Sequence, residues 1–387
     1  MRKSILVGLV SAISIFLIIV VYVLSAEQYY VAWSITVGGD KDDEGWFIMV
    51  DNKSVIVTGY TSSFGNGGKD VWLIKLDENG NQIWNKTYGG EGNEYGKKVI
   101  PTGDGGYLIV GSTTSYGNGG SDVWLIRIDG YGNEIWNRTY GGEGWDEGIS
   151  ITEAPYGGYL IVGSTTSYGN GGSDVWLIRI DGYGNEIWNR TYGEEYDEVG
   201  RDVDVFNNDF IVVGWEAPNT GKKDGLIMRV DSLGNIVWSG VFGYENDDWF
   251  NDVEVTDDGY IIAVGHTESK DSSTFAGFAI KVNINASIVW MKNLACKDST
   301  GFSCVDVKGD SYIVVGYKGV FGSGRDDLLL VELDADGEKT FMKTFGGSYE
   351  DAGVWLCISQ DMKWCYTVGN RDAGKGNYDV WVVKWRL

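Results

Sequence analysis

Seven copies of a unit of about 52 residues, strand-forming residues throughout them, and glycine punctuation with almost no proline predict an all-β fold. That fold is a seven-bladed β-propeller of four-stranded blades. An apolar pair followed by glycine marks each unit, at Gly59, Gly111, Gly163, Gly214, Gly265, Gly316 and Gly369, with intervals of 52, 52, 51, 51, 51 and 53 residues. The chain holds 58 glycines and 3 prolines and is 14% aromatic, so strands and tight turns are favoured over helices. One 37-residue stretch, Gly105 to Gly141, recurs unchanged from Gly157 to Gly193.

The first element stands apart. Arg2 and Lys3 precede an uncharged run whose apolar core, Ile5 to Leu24, has 20 residues. As a helix that run is about 30 Å long, enough to cross a bilayer. Residues 1–26 are therefore expected to be a retained membrane anchor, although "VLS" before Ala26 also suits signal cleavage. Basic residues before the run and acids after it place the N-terminus in the cytoplasm and residues 28–387 outside.

Each unit then reads as four strands. "GYLIVGST" and "DVWLIRID" are apolar on both faces, as strands sandwiched between neighbouring sheets should be. A D-x-x-G turn follows, at Asp77–Gly80, Asp129–Gly132, Asp181–Gly184, Asp231–Gly234 and Asp334–Gly337. Next comes an outer strand carrying Trp84, Trp136, Trp188, Trp238 or Trp290, with Phe341 in the sixth unit. The strand after it, such as "EGISITEA", is the innermost one. A lone sheet of this kind cannot cover both apolar faces, whereas a ring of seven covers them all. The last unit stops at "DVWVVKWRL" without its Trp strand, and "YYVAWSITVGG" near the N-terminus, with Trp33, supplies one. The N-terminal segment is thus expected to complete the last blade.

The pattern "TYGG…DE…GGYLIVGSTTSYGNGGSDVWLIRIDGYGNEIW" resembles the SBBP-type β-propeller repeat of secreted and surface prokaryotic proteins, over nearly all of Val31 to Leu387. The resemblance implies the fold and a surface location. It implies no activity, because that family has no agreed catalytic residues.

Composition narrows the function. A net charge of −24 repels phosphate backbones and excludes nucleic acid as a partner. A single histidine, His266, removes His-rich metal sites and His-dependent triads, and reads as a buried strand-end residue. The four cysteines form two pairs eight residues apart. Cys296–Cys304 and Cys357–Cys365 are the local disulfides this spacing suggests; a bridge between Cys304 and Cys357, or free buried thiols, are the alternatives.

Counting back 16 to 18 residues from each phase glycine gives Asp43, Glu94, Asp146, Asp197, Asp248, Ser299 and Asp351. This acidic set is expected to ring one mouth of the channel. It is a candidate calcium or cationic-ligand site, with turn-capping carboxylates as the alternative. A second recurrent carboxylate opens the "DVW" strands, at Asp70, Asp122, Asp174, Asp224, Asp327 and Asp379, and suits loop ordering. Asn52, Asn85, Asn137, Asn189 and Asn285 begin N-x-S/T sequons and are glycosylation candidates. No P-loop, G-x-S-x-G or dinucleotide motif stands in a strand-to-helix context. The sequence therefore predicts a non-catalytic surface module without a cofactor that binds a protein or glycan. An acid-based glycan-cleaving enzyme and a purely structural envelope protein are the other readings.

Overall fold

The computed structural model describes residues 29–218, 221–268, 274–294, 298–319, 326–347, 350–372, 374 and 376–387. The expected membrane anchor lies outside these residues, and among the described residues no helix is long and apolar enough to cross a bilayer.

Among the described residues twenty-eight strands, numbered in chain order, form five four-stranded antiparallel sheets and one eight-stranded sheet, in which the last two units and β1 are joined and a single parallel bridge links Asp327 to Asp351. The third unit shows the plan. Its strands β10 (Asp146–Glu153), β11 (Tyr159–Thr165), β12 (Asp174–Ile180) and β13 (Glu186–Tyr192) lie side by side in chain order. Every residue of β12 is buried, because apolar side chains leave it on both faces. By contrast β13 is largely exposed and forms the outer edge. The other first strands are β2 (Asp43–Asp51), β6 (Glu94–Pro101), β14 (Asp197–Phe206), β18 (Asp248–Val255), β22 (Ser299–Lys308) and β26 (Asp351–Ile358).

The core consists of separate apolar clusters, each between two neighbouring units. Val110 and Leu125 of the second unit, for example, pack with Ile161, Trp176 and Ile178 of the third. Another cluster joins the first unit to the last: Ile48, Val57, Trp72 and Ile74 pack with Tyr366, Val368, Val380 and Val382. Strand β1 (Tyr30–Val37) pairs antiparallel with β28 (Tyr378–Arg386), from Tyr30 opposite Arg386 to Val37 opposite Val380. Tyr29, just before it, is buried and stacks on Phe341 at 4.2 Å.

The outer rim has its own fastening. Trp33 of β1 donates its indole N–H to the Glu78 carbonyl at 3.1 Å, in the first D-x-x-G turn. Trp188, Trp238 and Trp290 make the same bond to the turn of the next unit, at 3.3, 2.9 and 3.0 Å. Trp33 therefore plays in β1 the part that the outer-strand tryptophans play elsewhere. In the turns, Asp77 accepts the Asn79 and Asn81 N–H groups at 2.9 and 2.8 Å while Gly80 takes φ 84°. In the fifth unit, where Asn283 and Ala286 replace Asp and Gly, Asn283 caps the same turn and Ala286 adopts φ 67°.

Candidate functional site

The first strand of every unit breaks its ladder at one place. The register slips between Gly45 and Phe47, Gly96 and Lys98, Gly148 and Ser150, and Gly200 and Asp202. It slips likewise between Phe250 and Asp252, Phe302 and Cys304, and Gly353 and Trp355. Each slip is a β-bulge, and a bulge re-aims the extra side chain. The extra residues are Trp46, Lys97, Ile149, Arg201, Asn251, Ser303 and Val354. All of them line one cavity of about 300 Å³, together with Lys98, Asp202, His266 and Trp355.

Charge in this cavity is arranged asymmetrically. The Lys98 ammonium donates to Asp202 at 2.8 Å and to Ser150 Oγ at 3.1 Å, and Ser150 donates to Asp202 at 2.6 Å. Lys97 pairs with Glu147 at 2.8 Å and sits 3.9 Å from the centre of the Trp46 ring, a cation–π contact. Arg201 has no such partner. Its Nε is buried without a hydrogen bond, and burial holds the guanidinium below its ordinary pKa although Glu147 opposes the shift. Burial, and then Arg201, depress His266 to about 3, so the imidazole is neutral. Its Nδ1 lies 2.9 Å from the Asn251 amide nitrogen, which can only donate, so the ring proton sits on Nε2.

A groove of about 440 Å³ continues from this cavity and shares Trp46 and Lys97 with it. Tyr95 and Trp46 stack there at 5.5 Å and 11°. Trp145 lines the groove with 67% of its surface exposed, on the loop that leads into β10. In an adjoining cavity of about 250 Å³ the carboxylates of Asp204, Asp252 and Asp306 each accept a backbone N–H from the first strand of the next unit. The partners are Val255, Val305 and Ile358, each at 2.7 Å. These bonds satisfy edge groups that would otherwise face that cavity unpaired.

The members of the expected acidic set are held in turns and do not line the cavity, although Asp146 lines the groove. Asp43, Glu94, Asp146, Asp248 and Asp351 are all buried. Glu94 accepts the Gly90 N–H at 2.7 Å and the Thr113 hydroxyl at 2.9 Å; Asp146 binds Thr165, Ser167 Oγ at 2.6 Å and the Gly142 N–H at 2.8 Å. Asp43 binds Thr61 and the Gly39 N–H, and Asp248 the Tyr244 N–H, at 2.7 and 2.6 Å respectively for the N–H bonds. Asp351 takes the Arg371 guanidinium at 2.6 Å. This is the geometry of turn-capping carboxylates.

Two members of the set are corrected. Asp197 is exposed, and the buried member in the fourth unit is Glu198, which accepts the Glu194 N–H at 3.1 Å. The counterpart in the sixth unit is Thr300 rather than Ser299, because Thr300 stands two residues before the one opposite the phase glycine. Among the described residues no group of three or more His, Cys, Asp or Glu side chains is arranged to hold a metal ion.

The second carboxylate set faces the first across the boundary between units. Gly141 lies between Asp122 and Asp146, and Gly89 between Asp70 and Glu94, where a methyl group would overlap both acids. Burial raises Asp70 to about 6, with Glu94 adding to the shift and the Asn66 N–H opposing it. Burial likewise raises Glu198 to about 7, with Asp174 among the acids that add to it.

Cys304, Cys357 and Cys365 are free thiols, and Cys296 lies outside the described residues. The expected Cys357–Cys365 bridge is not formed, for a reason of register. Cys357 stands opposite Tyr366, and Cys365 opposite Ile358, so the two thiols leave opposite faces of the sheet. Cys357 packs with the first-unit cluster and Cys365 with the sixth-unit one. Of the sequon residues, Asn52, Asn85, Asn137 and Asn285 are exposed and Asn189 is half-buried.

No family model matches the chain. No curated protein matches its sequence either. The backbone is similar to the WD40 domain of Neurospora crassa Pan2, with a TM-score of 0.61, 10% identity, and coverage of 93% of this chain and 95% of that one. The chain is a β-propeller repeat protein. At that identity the likeness concerns the fold, and the propeller's ligand has to be argued from its own residues.

Proposed function

We propose that the seven units close into a seven-bladed ring, and that the ring is a non-catalytic recognition module binding through the mouth built by the bulge residues. Closure is supported by β1 on the edge of β28 and by the apolar cluster shared between the first and last units. One observation carries the functional reading. The bulge position holds Trp, Lys, Ile, Arg, Asn, Ser and Val, and these seven different side chains converge on one cavity, whereas the phase glycine is kept in every unit. The duplicated 37-residue segment leaves this position out: it ends at Gly141 and Gly193, before Ile149 and Arg201. The bulge residues therefore differ between the copied units, while the groove hydroxyls Ser112 and Ser121 recur within the copy as Ser164 and Ser173.

The module is displayed outside the cell on residues 1–26, a placement supported by the apolar run Ile5–Leu24 and the SBBP-type motif. Exposed sequon asparagines on the outer strands fit glycosylation there. Glycan cleavage would need two water-accessible carboxyls flanking a substrate, and Asp146 is buried and spends its oxygens on Thr165, Ser167 and Gly142. The test is capture of partners from the envelope fraction by the full chain and by a Trp145→Ala variant. Partners retained by the wild type and lost by the variant support a mouth-centred module; identical capture by both contradicts it.

A further inference from the structure

The mouth is locally basic on a chain of net charge −24. Around the cavity stand Lys97, Lys98 and Arg201, against Asp202, which is taken up by Lys98 and Ser150, and Glu147, which is taken up by Lys97. That leaves the guanidinium of Arg201. It lines the cavity with its Nε buried and unpaired, and among the described residues it donates no hydrogen bond. A buried donor without an acceptor is costly, and a guanidinium presents a planar fork that matches a carboxylate. The neutral His266 beside it adds no competing charge and no second cation.

The surroundings define what carries that carboxylate. Trp46 and Tyr95 form a stacked platform at the junction of cavity and groove, and Trp145 offers an open indole face further along. Between them the groove is lined by hydroxyls, among them Ser112, Ser121, Ser164 and Ser173, and by two carboxylates that already have partners, Asp146 on Ser167 and Glu147 on Lys97. Flat aromatic faces bind the polarised C–H bonds of pyranose rings through the ring quadrupole, while hydroxyls read equatorial OH groups. A peptide finds less here. On three of the first strands, β18, β22 and β26, a backbone N–H that a peptide could pair with is already taken by Asp204, Asp252 or Asp306.

We infer that the mouth binds an acidic saccharide, a chain containing uronate, with one carboxylate on Arg201 and Lys97 and adjacent sugar rings on Trp46 and Trp145. This deepens the mouth-centred reading and rests on it. The experiment is calorimetric titration of the full chain with a galacturonate hexamer, the same hexamer methyl-esterified, and a glutamate hexapeptide. The acid hexamer binds, and esterification weakens it by about tenfold or more, the worth of a charged hydrogen-bonded contact. Arg201→Gln lowers affinity for the acid hexamer to the ester's level and leaves the ester unchanged, and Lys97→Gln acts in the same direction. Trp145→Ala weakens both saccharides. The melting temperature of Arg201→Gln stays at or above the wild-type value, since no hydrogen bond is lost. Equal binding of acid and ester by the wild type overturns the inference, as does tighter binding of the glutamate peptide. If no saccharide binds while envelope partners are still captured through Trp145, the uronate assignment fails and the mouth-centred reading stands.

Discussion

Consider the loss of β1. A chain shortened to begin at Gly38 lacks the strand that covers β28 and everything it carries. Trp33, half-buried against the last unit, contributes about 2 kcal/mol of apolar burial, and its bond to the Glu78 carbonyl about 1 kcal/mol more. Tyr29, buried and stacked on Phe341, contributes about 3 kcal/mol. The ladder from Tyr30 opposite Arg386 to Val37 opposite Val380 adds several backbone bonds at about 1 kcal/mol each. The sum is about 9 kcal/mol or more, comparable with the whole stability of a typical domain, about 5–15 kcal/mol. The assay is thermal melting of chains beginning at Tyr29 and at Gly38, with hydrogen exchange resolved along β28. The shortened chain should melt far lower and lose protection first at Tyr378–Arg386, and a peptide spanning residues 29–37 should restore both. Equal melting temperatures within a few degrees, with β28 still protected, refute the closing role of β1.

Four further outcomes follow from the same geometry. Asp70, Asp306 and Glu198 have folded-state pKa values raised to about 6, 6 and 7, so the folded chain holds protons that the unfolded chain releases near pH 4. Their contribution is full below about pH 4 and is lost as pH rises toward 7. The turn acids Asp77, Asp129 and Asp181 are shifted down by their Asn neighbours and lose theirs below pH 4. The melting temperature should therefore peak near pH 4–5; a monotonic rise to pH 7 contradicts this. Gly141→Ala forces a methyl into the Asp122 and Asp146 carboxylates and should cost about 1–3 kcal/mol by urea unfolding, whereas Gly182→Ala, with open space around it, should cost under about 1. Alkylation of the unfolded chain without reductant should label Cys365 in full; a cross-linked Cys357–Cys365 peptide would overturn the register argument. Tyr88→Phe removes the hydroxyl bonded to the Gly132 carbonyl at 2.8 Å and should cost about 1 kcal/mol without altering ligand capture.

Much of the fold is legible in the sequence because repetition removes ambiguity. A strand apolar on both faces could be a buried helix segment when read once, but not when read seven times at one spacing with a D-x-x-G turn after it. Trp33 betrays β1 by the same logic, since it restores the one outer tryptophan strand the last unit lacks. Errors arose where sequence spacing and structural register diverge. Counting back 17 residues from Gly163 and Gly214 gives Asp146 and Asp197, but the fourth unit is one residue shorter between its bulge glycine and its phase glycine, so counted from Gly148 and Gly200 the equivalents are Asp146 and Glu198. The cysteine pair misled differently. Equal spacing along the chain says nothing about faces, and Cys357 and Cys365 stand one register step from being opposed. The bulge residues were missed because an extra residue in a strand leaves no mark on composition. Variety at that position is no signal either, since the first-strand positions two before it and one after it vary nearly as widely.

The central claim is that recognition and scaffold occupy different positions of the repeat. It is tested by measuring affinity for a captured envelope partner and melting temperature together, in single alanine variants of Trp46, Lys97 and Arg201 and of the rim residues Trp136, Trp188 and Trp290. The account predicts that mouth variants lose affinity by about tenfold or more with melting temperatures near wild type, and that rim variants melt lower yet bind as before. Affinity that is indifferent to the mouth, or that falls only with the rim, would contradict it.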